Sequence, residues 1–289
     1  MNRLVLPSRV VLGDITVRDG FQHEERFVPT DTKLWFILKL QEAGFKRIEV
    51  TNFGNPARMP QFKDRKDLLR GIKRLPDVEY TAVTISERSI KEAIQAREEG
   101  WGVDRVLIMI STSEAHNLVN AGLTHAEHWQ RLPLWVKWAH DAGMKICGTV
   151  STIWGCPITG PTPMSRAVEF TKRMLDLGID DIEHADHDGQ ATPEKVYDYF
   201  SRILNDMPDP RLHVAHFHVT RGWGLANVFA ALQAGITHFE STVGGIGGQP
   251  ANFMDGVPVL GTGRYYYRDP GVTGLVCTED LVVMLEGMG

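Results

Sequence analysis

Cysteine is scarce in this chain: Cys147, Cys156 and Cys277 are an odd three, spaced far apart. That excludes a disulfide framework and a zinc cluster, and it fits reduced thiols in the cytosol. Long apolar runs are missing too, and none approaches the roughly 18 residues that a membrane span needs. No basic stripe stands out from a net charge of -5 with the signs interspersed. Neither a nucleic-acid backbone nor a bilayer is therefore an expected partner. The opening MNRLVLPSRVVLGD holds a short apolar piece broken by Pro7, with no small-residue cleavage site, and reads as a cytoplasmic start. What is present is ordinary: 289 residues, 43% hydrophobic, without low-complexity tracts, enough for one large globular domain or two small ones.

Short β-branched runs recur about every 25 to 35 residues, with helical patterns between them, which is the period of βα units. The runs are 10–17, 47–53, 79–84, 104–111, 145–152, 181–186, 212–220 and 238–245. The segments QEAGFKRIEV, HDAGMKICGT, LDLGIDDIEH and LQAGITHFES each place Gly between a helix end and a strand. Glycine suits that site because the residue after a helix favours a left-handed backbone. Eight strand-helix pairs in this length predict a single-domain (β/α)8 TIM barrel. An open doubly wound sheet is the alternative, but no glycine-rich phosphate fingerprint follows the first strand.

In such a barrel the chemistry sits at the C-terminal strand ends. The first run ends in TVRDGFQ with Arg18 and Asp19, and the second carries Glu49. The sixth ends in Asp186, and the seventh, LHVAHFHVT, carries His216 and His218. Alternation along a strand points both imidazoles the same way, roughly 6 to 7 Å apart at Cα. Two imidazoles and a carboxylate with open positions suit an octahedral divalent ion, Mg²⁺, Mn²⁺, Co²⁺ or Fe²⁺. The competing reading of the H-x-H pair is two satisfied polar residues. Arg18 is either a surface salt bridge or a catalytic partner for a substrate carboxylate or enolate oxygen. Glu49 either pairs with Arg18 to hold it or acts in catalysis, since a lone buried acid is costly. Asp186 is either a catalytic group or the capping acid of the loop DHDGQATPEK. The glycines of GGIGGQPAN fit a ligand-wrapping loop and equally a plain turn.

These segments resemble the 3-hydroxy-3-methylglutaryl-CoA lyases, within the metal-dependent barrel enzymes that include the isopropylmalate, homocitrate and citramalate synthases. The resemblance is carried by VRDGFQHE, AGFKRIEVTNFGNPARMPQF, STSEAHNLVNAGLTHAE, GTVSTIWGCPITG, HFHVTRGWGLANVFAALQAGI, STVGGIGGQP and TEDLVVMLEGMG. It implies a divalent metal, Mg²⁺ or Mn²⁺ with Co²⁺ and Zn²⁺ as alternatives, held by Asp19, His216 and His218. Arg18 would then stabilise an enolate and Glu49 would orient it, in a retro-Claisen cleavage that yields an acyl-CoA and a keto acid. It also implies a small-molecule substrate, a CoA thioester by family, and a homo-oligomer.

The chain departs from the lyase pattern at several points. Gln249 stands where the lyases carry a loop Cys, Val219 where they carry Asp, and Leu275 where they supply an Asn ligand. Similarity to the synthase loop, by contrast, implies Asn252 as a fourth ligand or as a group behind the ligands. A longer stretch, about 249–274, reads as an irregular insertion. The expected function is a metal-dependent carbon–carbon lyase acting on a 3-hydroxyacyl-CoA or related hydroxy acid, with a substrate other than 3-hydroxy-3-methylglutaryl-CoA. The alternatives are a Claisen-condensing synthase and a metal-binding barrel without catalysis.

Overall fold

The structure, a computed structural model, describes residues 6–22, 24–187, 189–247, the backbone of 253–254 and 257–258, and residues 274–289. Eight parallel strands close on themselves in chain order. They are β1 (Val11–Asp14), β2 (Arg47–Asn52), β3 (Glu79–Val83), β4 (Arg105–Ser111), β5 (Lys145–Ser151), β6 (Asp181–Asp186), β7 (His213–Phe217) and β8 (His238–Ser241). The seam joins β1 to β8, with Val11 opposite His238 and Asp14 opposite Ser241. The expected TIM barrel is therefore found.

Around the barrel lie α1 (Thr30–Glu42), α2 (Arg65–Gly71), α3 (Glu87–Glu98), α4 (Glu114–Ala121), α5 (His125–Asp141), α6 (Met164–Asp176), α7 (Pro193–Asp206), α8 (Gly224–Ala234) and α9 (Thr278–Met288). Residues such as Ile37, Leu68, Ile90, Trp135, Phe200 and Leu281 turn inward from these helices and form one continuous apolar layer on the outer face of the strands. The four helix-ending glycines behave as the sequence predicts. Gly44, Gly143, Gly178 and Gly235 all have positive φ, between 68° and 104°, where a Cβ would be strained.

At the opposite end from the strand C-termini, the first residues of five neighbouring strands bear charges that answer one another. Arg105 donates to Glu79 at 2.6 Å and pairs with Asp181; Arg47 reaches Asp181 at 3.1 Å, and Lys145 reaches Glu79 at 2.9 Å. Burial alone would push the Glu79 carboxyl up, but Arg105, Lys145 and Arg47 hold it below the usual range. This charged floor closes the barrel base and leaves the other end for chemistry.

Three strand boundaries differ from the sequence expectation, and each difference bears on the site. β1 stops at Asp14, and Thr16–Gly20 form a single π-helical turn. Arg18 and Asp19 thus ride on a turn above the barrel and not on a strand. β7 ends at Phe217, and His218 continues as an isolated bridge to Leu275. β8 ends at Ser241, followed by a tight turn at Val243–Gly245. No described helix is long and apolar enough to cross a membrane. The insertion expected at 249–274 lies almost wholly outside the described residues; of it, Phe253–Met254 pairs antiparallel with Val257–Pro258.

Candidate metal centre and active site

The π-turn is fixed from below. The Asp14 carboxylate accepts from the Thr16 N–H at 2.9 Å and from the Thr16 hydroxyl at 2.8 Å, and that hydroxyl in turn accepts the Val243 N–H at 2.9 Å. The turn is thereby tied to the loop after β8. Burial pushes the Asp14 carboxyl up to about 7 despite those donors, with Glu279 and Glu240 adding repulsion. A carboxyl raised in the folded state is a stability cost above its unfolded pKa, so stability falls as pH rises from about 4 to about 7 and then levels. Asp14→Asn is expected to remove that slope. Urea unfolding at pH 5 and pH 8 should show the native protein losing about 2.5 kcal/mol more than the variant. Equal slopes would sink the assignment.

Above the turn, Asp19, His216 and His218 each offer a ligand atom, all within 4.8 Å of one another and all buried. The His216 Nε2 and an Asp19 oxygen stand 3.7 Å apart, too far for a hydrogen bond and suited to two donors on one ion. The two imidazole rings tilt by 40° with centroids 5.0 Å apart. The other nitrogen of His216, Nδ1, is hydrogen-bonded to Glu240 at 2.8 Å, which turns Nε2 toward Asp19. This carboxylate-behind-histidine arrangement fixes the tautomer of a ligating imidazole. Glu183 lies on the same side, 3.9 Å from Nδ1. Burial favours a neutral His216, but Glu183, Glu240 and Asp19 outweigh it and lift its pKa to about 9. The donor set of one carboxylate and two imidazoles, converging within 4.8 Å, fits a divalent ion.

Arg18 bridges the acids. Its Nη1 is 3.1 Å from Asp19, and its Nε pairs with Glu49. Desolvation disfavours the charge, yet Asp19, Glu49 and Glu183 keep the guanidinium firmly protonated. Burial lifts Glu49 to about 7 against the pull of Arg18. The Arg18–Glu49 pair is present as expected, and it holds the guanidinium at the pocket wall.

Asp186 stands at the end of β6 and binds the loop that follows. Its Oδ1 accepts from the Gln190 N–H and its Oδ2 from the Ala191 N–H, both at 2.9 Å. It is the acid that ties the loop after β6, and it does not line the pocket. Val219, one residue past His218, packs its side chain toward Gly224 and the apolar layer. Leu275 is buried and bridged to His218, where it offers no donor. Cys277 caps α9 and donates its thiol to Glu279 at 3.1 Å, away from the pocket. Gln249 and Asn252 lie outside the described residues.

The sequence reading missed Glu183 and Glu240. The signal was there: each is a lone acid inside a β-branched run, DIEHAD and HFEST, as Glu49 is in RIEVT, and the same burial argument applies. It also passed over Gly247, whose φ is 94° and where a Cβ would lie 2.5 Å from the Gly20 Cα and 2.6 Å from the Asp19 carbonyl oxygen. The glycine-rich loop therefore presses directly on the turn that bears Asp19.

The HMGL-like family model matches residues 9–289 of this chain. The chain belongs to the HMGL-like family. Similar relatives include the mitochondrial hydroxymethylglutaryl-CoA lyase of Rattus norvegicus, 34% identical over 98% of this chain and 80% of that protein. The hydroxymethylglutaryl-CoA lyase of Bacillus subtilis is 30% identical over 98% of this chain and 87% of its own length. Among solved structures, an HMG-CoA lyase from Acinetobacter baumannii in complex with coenzyme A and 3-methylmalate has a TM-score of 0.84 and 33% identity, covering 97% of this chain and 84% of that one. The HMG-CoA lyase of Bacillus subtilis superposes with a TM-score of 0.86 over 98% of this chain and 87% of its own. As an HMGL-like protein the chain is an enzyme of the carbon–carbon lyase type, in line with the sequence expectation.

Glu240 gives a graded test of the HMGL-like site. Glu240→Ala removes the acceptor behind His216 and should weaken Mn²⁺ binding about 10- to 100-fold, whereas Glu240→Gln keeps an acceptor and should cost only a few-fold. Titration calorimetry with Mn²⁺ reads both, and equal losses would show that Glu240 does not orient the imidazole.

Proposed function

We propose that this protein is a divalent-metal-dependent lyase that cleaves a 3-hydroxyacyl-CoA thioester by a retro-Claisen step, with a preferred substrate other than 3-hydroxy-3-methylglutaryl-CoA. The observation that carries the reading is the meeting of Asp19, His216 and His218 within 4.8 Å beside Arg18 at the barrel mouth. Mg²⁺ and Mn²⁺ are the metals the family resemblance favours, and the carboxylate with open positions for water can accept either. When bound, such an ion supplies Lewis acidity to a substrate hydroxyl.

The remaining work falls to the chain. The hydroxyl proton leaves, the O–H electron pair forms the new carbonyl, and the Cα–Cβ bond breaks toward the thioester. The charge that develops on the thioester oxygen needs a fixed cation, and Arg18 is one, pre-aimed by Glu49 and desolvated so that its field is strong. Protonation of the enolate carbon gives an acyl-CoA, with the keto acid as the other product. The pocket wall also holds Met59, Val83, Ile85 and Met109, apolar groups that exclude water from the carbanion.

The preference for another substrate rests on two points. Leu275, bridged to His218, stands where the lyases supply an Asn ligand, and Gln249 stands where they carry a loop Cys. The condensing alternative depended on the loop around Asn252, and no described residue favours it. A chelated and Mg²⁺- or Mn²⁺-reconstituted sample should cleave at least one member of a 3-hydroxyacyl-CoA panel, with 3-hydroxy-3-methylglutaryl-CoA among the slower ones. Release of acyl-CoA and keto acid is followed by mass spectrometry. A fully metallated sample that turns over none of the panel would falsify the reading.

A further inference from the structure

Two histidines and two serines beside the metal centre form an unbroken hydrogen-bonded chain. Ser151, at the end of β5, and His187, just past β6, both line the pocket. Between them, out of the pocket, lie Ser111 at the end of β4 and His116 in the first turns of α4. The Ser151 and Ser111 hydroxyls are 2.8 Å apart, Ser111 Oγ is bonded to His116 Nδ1, and His116 Nε2 is 3.0 Å from His187 Nε2. Ser151, Ser111 and His116 are sealed from solvent, at 0%, 1% and 3% exposure. Nothing in the enolate chemistry above uses His116, and a buried imidazole with a partner on each nitrogen is an expensive way to fill space.

We infer that Ser151, Ser111, His116 and His187 are a proton relay that carries the substrate's hydroxyl proton around the pocket wall to the carbon freed by the cleavage. The inference rests on the retro-Claisen reading. That reaction removes a proton at one substrate atom and delivers one at another, and the relay begins and ends in the same pocket. The balance closes without any outside acid or base. The hydroxyl proton passes to His187 at Nδ1, the ring nitrogen that does not face His116, while the proton on His187 Nε2 moves to His116 Nε2. The proton on His116 Nδ1 goes to Ser111, the Ser111 proton to Ser151, and the Ser151 proton to the enolate carbon. No residue gains net charge. Both imidazoles have changed tautomer and both hydroxyls have turned, and they reset once the products leave and solvent enters. Burial keeps His116 neutral, its pKa down near 4, so that each of its nitrogens can serve, one as donor and one as acceptor.

The test uses the metallated protein and whichever panel thioester it cleaves. Single-turnover rates are measured in mixtures of H₂O and D₂O. The native protein should show a curved proton inventory, the sign of several protons in flight. Ser111→Ala cuts the chain at a residue that does not line the pocket. It should lower the single-turnover rate about 10²-fold, leave KM and metal content within about twofold, and give a straight inventory. His116→Gln repeats the test should Ser111→Ala fail to fold. A native inventory that is already straight, or variants that keep the native rate and curvature, would overturn the relay while leaving the lyase reading standing. If no thioester is cleaved at all, the lyase reading falls and the relay falls with it.

Discussion

Arg18→Gln is expected to lower kcat by about 10³-fold while the protein still binds its ion. A pre-aimed donor facing a developing oxyanion is worth roughly 10² to 10³ in rate. Here the donor also carries a full charge in a desolvated wall, which places the loss at the upper end. Folding should survive the change. The partner left behind, Glu49, has a pKa already raised to about 7 by burial. It takes a proton near neutral pH and does not remain as a buried, uncompensated charge. Arg18→Lys should recover only part of the rate, because an ammonium cannot reach Asp19 and Glu49 at once with the planar fork that spans them. Stopped assays on the best thioester, paired with metal analysis, decide the matter. A glutamine variant within about tenfold of the native kcat would sink the role given to Arg18.

Asp19→Ala should be the more damaging change. Asp19 is the one carboxylate of the three-residue donor set, and its loss leaves two neutral imidazoles to hold a hard divalent ion. Even an outer partner of a metal ligand costs 10- to 100-fold in affinity, so removal of the charged ligand itself should exceed about 10²-fold. Activity should fall below about 10⁻³ of native at millimolar Mg²⁺. Melting should change little, because Arg18 keeps Glu49 and the turn keeps its ties to Asp14. Metal content after dialysis, measured by emission spectrometry, is the direct readout. A variant that retains one tightly held ion would mean that the ligands lie elsewhere, with the second acid cluster of Glu183, His216 and Glu240 as the place to look.

Much of this was legible in the sequence, for physical reasons. A barrel repeats one unit, so its strand and helix periods recur often enough to be read, and glycine marks the left-handed exits of four helices without ambiguity. Asp19, His216 and His218 were legible because strand ends point into one mouth in this topology. What escaped was local geometry. The run Val10–Val17 reads as strand throughout, yet Asp14 captures Thr16 and starts a turn, a competition between side chain and backbone that hydrophobic patterning does not register. The direction of Val219 was hidden too: it lies past the end of β7, and its side chain packs toward Gly224 and the apolar layer. Glu183 and Glu240 carried the same lone-acid-in-a-strand signal as Glu49, but only the closure of the barrel brings both against His216.

The stitches around the mouth have a bearing on how such an enzyme changes. The Leu275 N–H donates to the Gly245 carbonyl at 3.2 Å, and the Val219 N–H donates to the Gly274 carbonyl at 2.9 Å. Gly245 and Gly274 are therefore held in one small region, so the two ends of the stretch between them already meet. The entropy of closing a loop grows only with the logarithm of its length, about 0.6 kcal/mol for each doubling. Length can therefore change between those two pinned glycines at little thermodynamic penalty, because the closure is already made by groups on either side.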